Sequence, residues 1–239
     1  SAKLPPFPAY IPDGMSDGNG GIFREDDYDY PDADSHGYYT AEYDFDAAKA
    51  EATELLESIG YKFNDDGTLS DENPISVEYL INENTAHQAI AEAIQSDWSS
   101  IGVDVTIKTE EWDTFLNDRK AGAFSIAREG WIADYDDPIN MLEIFTSDSG
   151  NNDAQLGKNP ENSATPDWTA YDNLISEIRT TTDNTARVQM LHQAEDMLMD
   201  TWAAVPIYFY NDDYMWKTNV TGIYNAKFGP KYFMYAIIE

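Results

Sequence analysis

The residues of this sequence best suited to chemistry lie between Arg119 and Pro138, in the stretch RKAGAFSIAREGWIADYDDP. Within it, Asp134 follows a predicted strand and is flanked by the aromatic side chains of Trp131 and Tyr135. An acid among aromatic rings at a strand end can bind the ammonium group of a ligand where water is partly excluded. The alternative is a solvated turn in which the Asp-Asp-Pro sequence simply begins a helix.

The same stretch carries further charged groups. Arg119 and Arg128 either form internal salt bridges, with Asp134 within reach, or give a ligand one pole for a carboxylate beside one for an amine. Asp136 and Asp137 can join Asp134 in a carboxylate pair of the kind that hydrolases use. A chain with 45 acidic residues contains such clusters by chance, however, so we predict a non-enzyme without catalytic residues.

Other reactive or metal-binding patterns are weak. The three histidines are scattered, without a pair at metal-ligand spacing, and the one at position 192 lies beside an apolar helix stripe, where a structural role is expected. Residues 32–37 resemble the start of a calcium loop, but Tyr43 stands where a bidentate Glu belongs. The sequence has no cysteine, no Gly-rich phosphate loop and no G-x-S-x-G elbow. We therefore expect neither a metal nor a cofactor.

Composition narrows the partners further. The 14 basic and 45 acidic residues give a net charge of −31, which disfavours nucleic acid and anionic membranes. Hydrophobic content of 42% and aromatic content of 13% are typical of a folded protein. No apolar run approaches the roughly 18 residues of a membrane span, so we expect no direct membrane insertion. The chain starts at Ser1 without an initiator Met, which indicates a piece of something longer, whose targeting segment lies elsewhere.

Hydrophobic periodicity predicts the elements that position the 119–138 stretch. A helix that Asp44 or Asp46 can cap and that Gly60 ends is followed by strands around 77–81, 103–109 and 124–131, with a helix before each of the last two. This order predicts an α/β layer with some parallel pairing. The predicted buried face of the helix between the first two strands consists of Ala86, Ile90, Ala93, Ile94, Trp98 and Ile101.

The second half of the sequence predicts three helices and three strands. The first helix is INMLEIF, directly after Pro138. The next two have well-marked apolar stripes, formed by Trp168, Tyr171, Leu174, Ile175 and Ile178 and by Leu191, Ala194, Leu198 and Trp202. A buried strand (AVPIYFY, 204–210), a hairpin-like successor (DDYMWKT, 212–218) and a terminal strand (YFMYAII, 232–238) are expected to follow.

Several of these segments together resemble a known family. They are AREGWIADYDDP with EEWDTFLNDRKAG upstream, the helix NTAHQAIAEAIQSDWSSIGVDV, the later VPIYFYN, and an approximate D-x-x-K-A…L-L…G-Y pattern from Asp46 to Tyr61. Over residues 3–239 the sequence resembles the extracytoplasmic oligopeptide-binding proteins of ABC importers, which are family 5 solute-binding proteins. A-R-x-G-W-x-A-D-Y is the most specific of these motifs.

The resemblance implies an incomplete periplasmic-binding-protein-like fold of type II, a three-layer α/β lobe with a mixed sheet flanked by helices. Residues 1–211 would form most of the second ligand-binding lobe, with 1–44 irregular and extended, and 212–239 would return to the first lobe. The strands at 204–210 and 232–238 would then lack their covering elements. We expect residues 232–238 either to fold back onto this lobe or to pair with another copy, giving a dimer.

The resemblance also implies a function. The full-length protein would be an extracytoplasmic lipoprotein that captures extended oligopeptides and delivers them to an ABC permease. A dipeptide, nickel or oligosaccharide receptor of the same fold is the nearer alternative. A carboxylate-dependent hydrolase and a pure interaction module are alternatives of other classes.

The resemblance assigns roles to individual residues as well. Asp134 would pair with the peptide α-ammonium, and the backbone from Gly130 through Trp131 to Ile132 would bond the peptide main chain. The side chains expected near the peptide C-terminus or its side chains are Arg119, Arg128 and His87. The remaining pocket positions are Asn82, Trp112 and Tyr210. Ile132 departs from the family, where a small residue is expected, so it bears on pocket depth.

Overall fold

The computed structural model describes residues 8–40, 44–159, 161, 165–210, 214–226 and 228–239. The chain forms two compact units, one of Tyr43–Gly130 and one that combines Ser1–Glu42 with Trp131–Glu239. The division into a lobe at 1–211 and a returning segment at 212–239 stays a prediction. Tyr43, the twelfth position of the calcium-like loop, lies outside the described residues.

The Tyr43–Gly130 unit is built on a three-stranded parallel sheet. Its elements in chain order are α1 (Phe45–Ser58), β1 (Ser76–Asn82), α2 (Thr85–Ser99), β2 (Asp104–Glu110), α3 (Trp112–Lys120) and β3 (Ile126–Ala127). The strand order is β2-β1-β3, with both pairings parallel. The predicted strand–helix alternation and parallel pairing are confirmed.

Local chemistry explains these elements. Asp44 begins α1 by accepting a hydrogen bond from the Ala47 N–H at 3.1 Å, and Gly60, with φ of +100°, follows its end. Tyr79, Leu80 and Ile81 are all buried, as expected of a central parallel strand. Of the two predicted caps, Asp44 is the one formed, and the predicted strand is confirmed.

Two predictions for this unit are wrong in detail. The buried face of α2 runs through Ala91, while Ala86, Ala93 and Trp98 of the predicted face are exposed. Alanine is small and gives a weak hydropathy signal, so the stripe was misplaced around the helix. The strand predicted over 124–131 is only the two residues of β3. One further sheet bond follows, from the Arg128 N–H to the Leu80 carbonyl at 2.9 Å.

The other unit has a helical core. Its helices are α4 (Ile139–Leu142) with a 3₁₀ turn at Glu143–Phe145, α5 (Thr169–Thr180) and α6 (Asn184–Met199). All five predicted inward residues of the first stripe, from Trp168 to Ile178, are buried. Trp168 Nε1 donates to the Phe145 carbonyl at 3.0 Å, and the Tyr171 hydroxyl donates to the Leu142 carbonyl at 2.9 Å. The stripe is confirmed, with its two large aromatic residues hydrogen-bonded.

Residues 8–40 hold one short 3₁₀ turn, Phe23–Glu25, yet they contribute buried side chains to this core. Helix α6 holds them through polar groups. His192 stacks between the rings of Phe23 and Tyr28, each at 4.0 Å, and its Nε2 is 2.7 Å from Asp26 Oδ2. This environment agrees with the structural role expected for His192.

The end of the chain differs most from prediction. Residues 204–210 form no strand, as Pro206 cannot donate to a ladder, and Val205 is 65% exposed. Trp202 was predicted to point inward but is 70% exposed, because α6 ends at Met199 and the tryptophan adopts a left-handed conformation with φ of +54°. Residues 214–218, the described part of the predicted 212–218 strand, are not a strand either.

Four short strands follow, β4 (Val220–Thr221), β5 (Tyr224–Asn225), β6 (Lys231–Tyr232) and β7 (Ile237–Ile238). They pair antiparallel as β4–β7 and β5–β6, so the single terminal strand predicted over 232–238 is two strands separated by a turn. Segment 232–238 therefore pairs within its own C-terminal region, and its large side chains are largely exposed. Pairing with another copy stays a prediction.

Candidate ligand-binding site

The Trp131–Asp134 segment offers an unused backbone edge. Its residues belong to no helix or strand, and Ile132 is 76% exposed while Ala133 is buried. The peptide N–H and C=O groups of residues 131–133 form no hydrogen bond with any residue that the structure describes. Because backbone polar groups normally find partners, such an edge can pair with an added extended chain.

Asp134 ends this segment with its side chain exposed. Its carboxylate has no hydrogen bond or ion pair within the described part of the chain. Its backbone, in contrast, is fixed. The Asp134 N–H donates to Asn140 Oδ1 at 2.9 Å. On the other side Gly229 lies so close that a Cβ there would be 2.7 Å from the Asp134 carbonyl oxygen.

The two neighbouring acids serve the structure. Asp136 Oδ1 accepts a hydrogen bond from the Ser16 N–H at 2.8 Å. Asp137 Oδ1 accepts from the Ile139 N–H at 3.0 Å, at the start of α4, and forms an ion pair with Arg187 at 3.0 Å. Of these three acids, Asp136 and Asp137 therefore bind other parts of the structure, and only Asp134 has a carboxylate without a hydrogen bond or ion pair among the described residues.

Asn140 was not among the predicted site residues. It is 3% exposed, and its Oδ1 accepts from Trp131 Nε1 at 3.1 Å as well as from the Asp134 N–H. The half-buried Trp131 ring packs against the unit's core. The available sequence signal was a lone amide inside the apolar run INMLEIF, where an asparagine needs buried partners.

Tyr135 completes this group. Its hydroxyl donates to Glu143 Oε1 at 3.0 Å, and Glu143 forms an ion pair with Arg179 at 2.9 Å. Burial and then the Glu143 carboxylate raise the pKa of Tyr135, so the phenol remains a proton donor at neutral pH. Tyr210 also belongs to this unit, where it is 48% exposed with its ring edge-on to Tyr208 at 5.2 Å.

In the Tyr43–Gly130 unit, predicted site residues gather at one edge of the sheet. Asn82 ends β1, Arg128 follows β3, and His87 lies in the first turn of α2. Ligands of open parallel sheets bind at this carboxyl edge of the strands. The Asn82 Oδ1 atom is buried there without a hydrogen-bond partner among the described residues. Burial, and then the charge of Arg128, lower the pKa of His87 and keep it neutral at pH 7.

The two predicted site residues on α3 differ in exposure to solvent and in pairing. Trp112, the first residue of the helix, is 47% exposed. Arg119 is 8% exposed, and its Nε lies 2.9 Å from Glu129 while its guanidinium stacks on the Phe115 ring. Of the two alternatives for Arg119, the internal ion pair is the one formed, with Glu129 as the acid.

Among the residues described, no group of three His, Cys, Asp or Glu side chains is arranged to hold a metal ion. No helix in the described ranges is long and apolar enough to cross a membrane.

Comparison with known proteins identifies relatives. The chain is 33% identical over 189 residues to the oligopeptide-binding protein OppA of Bacillus subtilis, covering 79% of this chain and 32% of that protein. It is 35% identical over 161 residues to the periplasmic oligopeptide-binding protein OppA of Salmonella typhimurium, covering 67% and 26%. The chain thus spans a third or less of the length of these two relatives.

Solved structures agree on the fold. Haemophilus influenzae OppA in complex with RPPGFSPFR matches with a TM-score of 0.65 and 27% identity, over 91% of this chain and 37% of that one. The Escherichia coli murein tripeptide-binding protein MppA matches with a TM-score of 0.65 and 26% identity, over 86% and 34%. The predicted periplasmic-binding-protein-like α/β fold of type II, present in part, is confirmed.

A family model also matches this chain directly, in addition to these individual relatives. The model of the family "Bacterial extracellular solute-binding proteins, family 5 Middle" matches residues 20–153, more than half of the chain and including the whole A-R-x-G-W-x-A-D-Y motif. This chain belongs to family 5 of the bacterial extracellular solute-binding proteins.

Proposed function

We propose that this chain is part of an extracytoplasmic receptor that captures extended oligopeptides and delivers them to an ABC import permease. The observation that carries the proposal is the uncommitted Asp134 carboxylate at the end of the unpaired 131–133 backbone. A peptide with a free amino terminus offers both complements, an ammonium group and a strand-like main chain. The relatives named for oligopeptide and murein peptide binding support the same ligand class.

Electrostatics makes the ammonium contact strong enough to matter. A carboxylate about 4 Å from an ammonium group gains roughly 4 kcal/mol at an effective dielectric constant of about 20, before desolvation. Truncating one partner of a desolvated pair typically costs on the order of 2–5 kcal/mol. Asp134→Ala in the intact receptor is therefore expected to weaken peptide binding at least about tenfold.

Isothermal titration of matched peptides tests the assignment. Free-amino peptides should bind the native protein at least about tenfold more tightly than N-acetylated ones, and Asp134→Ala should remove that difference. Asp136→Ala is the matched control, because it deletes a nearby carboxylate that is committed to Ser16. Equal affinity of the native protein for free and acetylated peptides would show that Asp134 does not bind an ammonium group.

Main-chain pairing by residues 131–133 implies tolerance of peptide sequence. Scrambling the interior of a good peptide should change its affinity by no more than about tenfold, or roughly 1.4 kcal/mol. A peptide of D-residues should not bind, because the strand-like register is lost. Strong dependence on a single interior side chain would indicate a dedicated pocket instead.

The alternatives fit these residues less well. Oligosaccharides and nickel offer no ammonium group for Asp134, while a dipeptide does and remains the nearer rival. A hydrolase would need a second carboxylate, and the neighbouring Asp136 and Asp137 are occupied by Ser16 and Arg187. The roles of Arg119, Arg128, His87, Asn82, Trp112 and Tyr210 in ligand binding stay part of the proposal and are tested by single substitutions.

A further inference from the structure

A buried asparagine connects the two parts of the proposed amine-binding segment. Asn140 lies at the start of α4, and its single side-chain oxygen accepts hydrogen bonds from the Asp134 N–H at 2.9 Å and the Trp131 indole at 3.1 Å. Both donors lie in the Trp131–Asp134 segment. Asn140 thus fixes where the carboxylate leaves the backbone and where the aromatic wall beside it stands.

The asparagine is itself held on several sides. Its own N–H donates to the Asp137 carbonyl at 3.0 Å. Asp137 is tied to Arg187, and the Tyr135 hydroxyl is tied to Glu143. Residues 134, 135 and 137 of this turn are each tied by at least one hydrogen bond or ion pair, while the Asp134 carboxylate is not.

Removing this side chain would release both donors of the segment. The Asp134 N–H and the Trp131 indole would lose their acceptor, which belongs to a residue only 3% exposed. A donor left unsatisfied in such a place is costly, so the segment would turn to reach water. Binding sites tolerate deviations of about 0.5 Å before their interactions weaken.

We propose that Asn140 is a positioning residue for recognition of the ligand amine, acting through Asp134 and Trp131 without touching the ligand. This inference rests on the proposed function. It predicts that Asn140 governs discrimination between free and N-acetylated peptides, beyond its effect on stability.

Three variants of the intact receptor separate positioning from stability. Asn140→Ala deletes the acceptor, whereas Asn140→Asp keeps an oxygen for both donors. Asn152→Ala is the matched control, because Asn152 is also buried and its side chain forms three hydrogen bonds, with Thr146 and Leu156, away from the segment. Each variant is titrated calorimetrically with one peptide in free and acetylated forms, and its melting temperature is measured.

The native ratio of acetylated to free dissociation constants should be at least about ten. Asn140→Ala should reduce it below about three, Asn140→Asp should restore it, and Asn152→Ala should leave it unchanged at a similar loss of melting temperature. Hydrogen exchange at the Asp134 amide and the Trp131 indole should accelerate in Asn140→Ala only.

The outcomes distinguish the two proposals. A native protein that discriminates, together with an Asn140→Ala variant that discriminates equally well, would overturn the positioning role and leave the proposed function standing. A native protein that does not discriminate would overturn the amine assignment, and the positioning role with it.

Discussion

Replacing Glu195 with glutamine should change how the stability of the protein depends on pH. Glu195 is fully buried on α6, and its Oε1 accepts hydrogen bonds from the N–H groups of Tyr10 at 3.0 Å and Ile11 at 2.7 Å. Its Oε2 is buried without a partner among the described residues. Glutamine keeps the accepting oxygen but cannot ionise, so the substitution isolates the charge.

Burial raises the pKa of Glu195 from 4.5 to about 7, with Asp196 acting in the same direction and Arg24 against it. Between these values the folded protein holds a proton on Glu195 that the unfolded chain has lost. The free energy of unfolding therefore falls by about 1.4 kcal/mol for each pH unit of increase. From about pH 5.5 to 7 the loss is about 2 kcal/mol.

The neighbouring His192 gives the free energy of unfolding the opposite dependence on pH. Burial lowers its pKa below 6.5, so its contribution to stability is present above that value and is lost as the pH falls through the folded-state pKa. The two residues partly cancel in the native protein. Subtracting the native free energy of unfolding from that of the Glu195→Gln variant at each pH cancels the His192 contribution and leaves that of Glu195.

Urea unfolding, followed by tryptophan fluorescence between about pH 5.5 and 8, measures this difference. The free energy of unfolding of Glu195→Gln minus that of the native protein should rise by about 2 kcal/mol across the range. Glu25→Gln controls for the loss of one negative charge from an exposed side chain. Parallel pH profiles for the native protein and Glu195→Gln would refute the reasoning.

Two further substitutions test packing around the site by the same unfolding assay. Gly229→Ala should destabilise the fold by about 1–3 kcal/mol more than Gly20→Ala. Both glycines have positive φ, but only at Gly229 would a new Cβ lie within 3 Å of a backbone atom. Equal losses of stability would contradict this close approach. Arg187→Met should lower the free energy of unfolding more than Arg179→Met. The side chains of the Arg187–Asp137 pair are only 16% and 26% exposed, whereas Arg179 is 52% exposed and its surface ion pair typically contributes less than about 1 kcal/mol. The reverse order of stability losses would contradict this reasoning.

The elements that the sequence predicts well are those whose signal is local. The α5 stripe repeats at helical spacing, so its five inward residues could be identified without any tertiary information. Strands β1 and β2 are bounded by turn residues and carry β-branched side chains, so their positions were also recoverable. Their parallel pairing followed from the intervening helix.

The C-terminal segment shows where such reasoning fails. Its apolar runs have the composition of buried strands, but composition does not state what covers a strand. Val205, Trp202 and Ile238 are mostly exposed. The backbone there is set by Pro206 and by short antiparallel pairs of two residues each, which a hydropathy pattern cannot specify.

The site divides in the same way. Asp134 could be singled out because an acid between aromatic residues at a strand end is a local pattern. The role of Asn140 could not, because it depends on hydrogen bonds to residues six and nine positions earlier, across a turn. The hydrogen bonds of Asp136 and Asp137 could not be predicted from the sequence either. Their partners, Ser16 and Arg187, lie 120 and 50 positions away.

An exposed acid is weak evidence of function in a chain with 45 of them. Asp134 differs because its backbone is immobilised while its carboxylate is not. Asn140 holds its N–H, Gly229 packs against its carbonyl, and the unpaired 131–133 edge leads directly to it. An acid on a mobile turn would lose backbone entropy on meeting a ligand, whereas the backbone of Asp134 is already fixed by folding. The combination of a rigid backbone, a free charge and a free edge is therefore what favours a ligand-binding role for this acid.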